Sequence, residues 1–94
     1  MDEFVLWEGK ANLKMGIVKI AGELTITNKK LSFKSLSKKI EIKMRDIIRV
    51  EIVKKIIKRI KIETANQQYL FFVPRPENVF SLIKNFAGKK ALSV

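Results

Sequence analysis

The stretch GELTITNKKLSFKS, residues 22–35, alternates apolar and polar side chains on both sides of a single polar break. Successive side chains of a strand point to opposite faces, so alternation of this kind is the mark of a half-buried strand and conflicts with a helix. A two-residue turn at Asn28-Lys29 pairs Thr27 with Lys30, Ile26 with Leu31, Thr25 with Ser32, Leu24 with Phe33 and Glu23 with Lys34. In that register Leu24, Ile26, Leu31 and Phe33 share one face, while Thr25, Ser32 and the opposite charges Glu23 and Lys34 share the other. Asparagine tolerates the left-handed conformation of a tight hairpin turn, although Lys29 suits it less well than the usual glycine.

The same period recurs downstream. IEIKM puts Ile40, Ile42 and Met44 inward; DIIRVEIV puts Ile48, Val50 and Ile52 inward with Arg49 and Glu51 outward; IIKRIKIET puts Ile60 and Ile62 inward with Arg59, Lys61 and Glu63 outward. MGIVKIAG reads as a strand leading into a turn at Ala21-Gly22, and YLFFV, apolar on both faces, as a strand covered on both sides or touching a partner. With the two arms of the hairpin this makes seven strands. The pattern then changes. Val79, Leu82, Ile83 and Phe86 lie at helical spacing, with Pro76 and Glu77 suited to a first turn and Gly88 to an end. The apolar stripe of that helix has to be buried against the sheet.

Composition narrows the function. A chain of 94 residues is one domain, spanning 1–94, and it contains neither cysteine nor histidine. Disulfides, thiolate or imidazole metal sites, a thiol nucleophile and the commonest general base are therefore absent. The carboxylates Glu23, Glu41, Glu51 and Glu63 sit on outward strand faces among lysines, and no phosphate-cradling glycine loop occurs. The expectation is a protein that is not an enzyme and carries no cofactor or metal. No run of about eighteen apolar residues occurs, and MDEFVLWEG is acidic where a secretion signal is basic, so a cytoplasmic chain that does not span a membrane is expected. The net charge of +11 predicts attraction to polyanions.

Several stretches taken together resemble a known family. The core Gly22, Leu24, Ile26, Thr27, Asn28, Leu31, Phe33 is similar to the G-x-L-x-[IL]-T-N-x-x-L-x-F pattern of GRAM and bacterial PH-like domains, and Asp46, Ile47, Val50 and Glu51 resemble their second element. The resemblance runs from about Glu8 to Phe86 and implies the pleckstrin-homology (PH) superfold: a mainly β, bent antiparallel barrel of about seven strands capped by one C-terminal helix. It implies an adaptor that attaches to phosphoinositide or other anionic membranes, or that contacts protein partners. The lipid-binding pattern of PH domains, a lysine on the first strand and basic-x-arginine on the next, has no counterpart in ELTITN taken as the second strand.

Two acid-free lysine clusters are the candidate anion or lipid sites. One comprises Lys29, Lys30, Lys34, Lys38 and Lys39; the other comprises Lys54, Lys55, Lys58, Arg59 and Lys61. Among them Lys34, Lys38, Lys39, Lys54, Lys55 and Lys58 are the residues expected to meet anionic lipid headgroups or an acidic protein surface. Five such lysines near an anionic bilayer, at about 1 kcal/mol each, would support reversible attachment, peripheral to the inner membrane face. Nucleic acid is a poor fit, because Tyr69, Phe71 and Trp7 have apolar neighbours where a single-strand binder interleaves aromatics with basic residues. From a different class comes a second expectation: Tyr69 and Phe71 on the last strand forming an interaction strip for a partner or a homo-oligomer.

Overall fold

The computed structural model describes residues 2–87 and the backbone of residues 92–93. Strands β1 (Val5–Met15), β2 (Val18–Thr27), β3 (Lys30–Lys34) and β4 (Lys39–Lys43) run in meander, and a turn of 3-10 helix, Met44–Asp46, leads to β5 (Ile47–Val53). Strands β6 (Arg59–Thr64) and β7 (Gln68–Phe72), helix α1 (Pro76–Phe86) and a two-residue strand β8 (Leu92–Ser93) follow. One sheet results, in the order β4-β3-β2-β1-β7-β6-β5-β8. Its first seven strands pair antiparallel, and β8 lies parallel to the outer edge of β5. The pairing of β1 with β7 joins the two meanders, and α1 packs on β5 and β6.

The hairpin formed by β2 and β3 has the register expected of it, with Glu23 opposite Lys34, Leu24 opposite Phe33, Thr25 opposite Ser32 and Ile26 opposite Leu31. All four of its apolar side chains are buried. The turn is closed differently. The Thr27 hydroxyl accepts hydrogen bonds from the backbone N–H groups of Lys29 at 3.1 Å and Lys30 at 3.0 Å. Asn28 does not adopt the left-handed conformation; among the described residues only Gly16 and Arg75 have positive φ. Its side chain instead holds the N-terminal segment, accepting from the Phe4 N–H at 2.8 Å and donating to the Asp2 carbonyl at 3.2 Å.

The expected strands need regrouping. MGIVKIAG is no separate strand: its first residues form the tip of the β1–β2 hairpin, where Gly16 has φ +63°, and its last residues continue directly into ELTIT as one strand, β2. The strand that escapes the pattern is β1, whose Lys10, Asn12 and Lys14 leave only Ala11 and Leu13 as fully buried residues. There is no turn at Ala21-Gly22, which pair with Asn12 and Ala11. Gly22 is required for a different reason: a Cβ there would lie 2.5 Å from the Lys34 carbonyl oxygen and 2.7 Å from the Phe33 ring.

Two inward assignments shift by one residue. At the start of β5 Ile47 pairs with Thr64 and Arg49 with Glu63, so Ile48 is the extra residue of a bulge; Ile47 is buried and Ile48 is 41% exposed. On α1 the buried positions are Pro76, Val79 and Ile83, with Phe80 packed against the core, and Phe86 points away at 38% exposure. The buried stripe therefore includes Phe80 and leaves out Phe86, on the side of α1 that packs against the core. Trp7 is partly buried against the core, as an anchor for the N-terminal segment.

Phe33 and Phe71 meet in the interior with ring centroids 5.7 Å apart and planes tilted by 55°, so the two halves of the sheet share one aromatic contact. Phe33→Ala is expected to destabilise the fold by about 3–5 kcal/mol through the cavity left behind, measured by denaturant unfolding; a near-neutral value would overturn the register. Gly22→Ala is expected to cost about 1–3 kcal/mol in the same assay, because backbone on one side and a buried ring on the other must move.

Candidate anion-binding surface

Because the barrel interior takes Phe71, its neighbour Phe72 is directed to the outer face of β7, which explains why YLFFV is apolar on both sides. Two cations cover it. The Lys19 ammonium lies 4.2 Å from the Phe72 ring centroid and the Arg59 guanidinium carbon 4.6 Å from it. Arg59 also donates from Nε and a terminal nitrogen to the Ile57 carbonyl at 3.1 and 2.9 Å, so one guanidinium clamps the β5–β6 turn and stacks on the sheet. Each such cation–π contact contributes about 0.5–2 kcal/mol, depending on how far it is desolvated.

Beside this cluster runs an open groove of about 650 Å³ on the outer face of β1 and β2, lined among others by Lys10, Asn12, Ala21, Gly22, Lys58 and Phe72. Lys10, Lys19, Lys58 and Arg59 make its surroundings cationic. Lys58 is not idle: its ammonium is 2.9 Å from a Glu77 carboxylate oxygen at the start of α1. That hydrogen bond, with a smaller contribution from a backbone hydrogen bond, holds the Glu77 carboxyl below its usual range. Elsewhere on the sheet Glu51 bridges Arg49 and Lys61, each at 3.6 Å, and Lys30 pairs with Glu41 at 3.3 Å.

The candidate lysines fall on two turns. Lys34 and Lys39 face each other where β3 meets β4, and Lys38 sits in the turn between, which Ser35 closes by accepting from the Lys38 N–H at 2.9 Å. Lys54 and Lys55 are exposed on the β5–β6 turn and Lys58 ends it. The structure adds residues that sequence reasoning passed over. Lys14 and Lys19 are cross-strand partners at the tip of the β1–β2 hairpin. With β2 beginning at Val18, Lys19 follows the turn directly, opposite Lys14, and Ala21 stands two residues beyond it. The signal was present in the string KMGIVK, where Gly16 marks a turn between two lysines.

The aromatic interaction strip requires correction. Phe71 is 1% exposed and belongs to the core, and Tyr69 stacks on it at 6.3 Å with planes 17° apart. Strand β7 is bonded to β1 on one side and β6 on the other, so it offers no free edge to a partner. Among the described residues no group of three or more acidic side chains is placed to hold a metal ion, and no helix is long and apolar enough to cross a membrane.

No protein-family model matches the chain, and no curated protein matches it. Solved structures do. The chain is similar to the C-terminal domain of an unknown protein from Leishmania infantum, at 20% identity and TM-score 0.77, covering 92% of this chain and 86% of that one. It is similar to the N-terminal PH domain of human ARAP2, at 16% identity and TM-score 0.69, covering 86% and 77%. It is also similar to the linker-DH/PH domains of p115-RhoGEF, at 13% identity and TM-score 0.75, covering 98% of this chain and 30% of that one. The fold is PH-like.

The Lys58–Glu77 bridge has a testable sign. A carboxyl held below its ordinary range keeps the bridge above that range and loses it as pH falls through the lowered value. Lys58→Met is therefore expected to raise the Glu77 titration midpoint followed by carboxyl carbon NMR; an unchanged midpoint would show that the bridge is not populated in solution.

Proposed function

We propose that residues 1–94 form a non-catalytic, GRAM-like adaptor domain that attaches to anionic membrane headgroups from the cytoplasmic side. The observation that carries this reading is the placement of charge: the β3–β4 and β5–β6 turns and the tip of β1–β2 present lysines with no acidic residue within any of the three segments. Lys34, Lys38, Lys39, Lys54, Lys55 and Lys58 are the proposed contact residues, joined by Lys14 and Lys19. The groove beside Phe72 supports the reading, because Lys19 and Arg59 are held by the ring while their remaining N–H donors stay available to a phosphate. Likeness to PH domains supports it at the level of fold.

Attachment through exposed lysines is long-range and screened, with a Debye length of about 8 Å at physiological ionic strength. The test is co-sedimentation with neutral, phosphatidylserine-containing and phosphoinositide-containing liposomes at low and physiological salt. Charge reversal at Lys38, Lys39, Lys54 and Lys55, all exposed, is expected to abolish binding and leave the unfolding midpoint unchanged. Retained binding in that variant would remove these residues from the site. Wild-type protein that ignores every anionic liposome would shift the proposal to an acidic protein surface.

A further inference from the structure

The two meanders end differently at the margins of the sheet. The outer edge of β5 carries β8, whereas among the described residues β4 is bonded on one side only, to β3. Two backbone hydrogen bonds fix which groups this leaves over: the Ser35 N–H donates to the Lys38 carbonyl and the Met44 N–H to the Lys29 carbonyl, both at 2.8 Å. Bonded and non-bonded pairs alternate along an antiparallel ladder, so the bonded pairs between those two are Phe33–Ile40 and Leu31–Ile42. Lys39, Glu41 and Lys43 therefore turn their N–H and C=O groups outward, away from β3.

The side chains of these three residues are exposed on one face of β4, while half-buried Ile40 and buried Ile42 lie on the other. A row of unpaired donors and acceptors is a template for a further strand, and charge decides which strand it suits. The charged residues of β3 and β4 are Lys30, Lys34, Lys39, Lys43 and a single acid, Glu41, which Lys30 already holds at 3.3 Å. A second copy is the poorer occupant, because it brings the same lysines and a net charge of +11 of its own.

We propose that the β4 edge accepts an extended acidic peptide as an added antiparallel strand. The register specifies the peptide. Residues directly opposite each other share a face, so the first and last positions of a segment matching the 5 residues of β4 stand against Lys43 and Lys39 and carry Asp or Glu. The central position stands against Glu41 and is neutral or basic, and the two positions between fall beside Ile42 and Ile40 and are apolar. Backbone pairing supplies attraction that salt does not screen, and the ion pairs select the sequence. The contact lies along the side of the sheet and does not depend on the membrane reading.

The test is an NMR titration of the nitrogen-15-labelled full chain with the capped peptide Glu-Val-Thr-Val-Glu. Binding is expected to protect the amides of Lys39, Glu41 and Lys43 from hydrogen exchange, while those of Ile40 and Ile42 are protected with or without peptide. N-methylation of the peptide's threonine, whose N–H would face β4, is expected to weaken binding by about tenfold or more, and N-methylation of either valine, whose N–H would face away, to leave it nearly unchanged. The scrambled peptide Glu-Glu-Thr-Val-Val keeps charge and composition and is expected to bind about tenfold more weakly. On the protein side, Glu41→Pro removes an outward N–H at a position where an edge strand tolerates proline, and is expected to weaken binding by a similar factor. Its unfolding midpoint shows whether the fold is kept, and the N-methylated peptides give the answer on the wild type if it is not. Equal binding of the ordered and scrambled peptides, or binding without protection of the three amides, would reduce the contact to charge and overturn strand addition. No binding would overturn it too, as would a dimer in which the three amides are already protected without peptide.

Discussion

The close approach at Gly22 is what the rest of the barrel depends on. With no side chain there, the Lys34 carbonyl and the Phe33 ring close onto β2, and Phe33 reaches Phe71 across the interior. Those two rings belong to different meanders, one built from β1 to β4 and the other from β5 to β7, so their contact and the β1–β7 pairing together make one core of two. A core of this size has few spare contacts, and a bent sheet of short strands has no stability of its own without its shared interior.

Folding this way also explains the outer surface. Placing Phe71 inside puts Phe72 on the outer face of β7, where Lys19 and Arg59 lie over its ring and only 9% of the residue is exposed. The ring therefore orders two positive groups beside the groove at no expense in acidic partners. The other meander gives up some of its charge to ion pairs: Glu51 is shared between Arg49 and Lys61, and Glu77 holds Lys58.

How far the sequence disclosed this depends on the length of each repeat. The β2–β3 hairpin was legible to the residue, because four apolar positions in strict alternation leave one register that buries them all. β1 was invisible, since Lys10, Asn12 and Lys14 fill its outer face and Gly9 interrupts the inner one, whereas its position as a joining strand comes from tertiary pairing. The bulge at Ile48 displaced one inward residue, and two consecutive isoleucines give no local hint of which is extra. For the surface, lysine runs were readable as charge, but Lys14 and Lys19 became neighbours only once Gly16 was seen as the turn. Phe71 was misplaced as an interaction residue because two adjacent phenylalanines look alike in sequence, and only the pleat separates inside from outside.

Lysines face lysines across this sheet at three places: Lys14 opposite Lys19, Lys34 opposite Lys39, and Lys30 opposite Lys43. Like charges in that position push strands apart. The first two of these pairs flank hairpin tips. The free domain thus holds its tips under mutual repulsion that the hydrogen-bond ladders contain, and any counter-anion that settles between them relieves it.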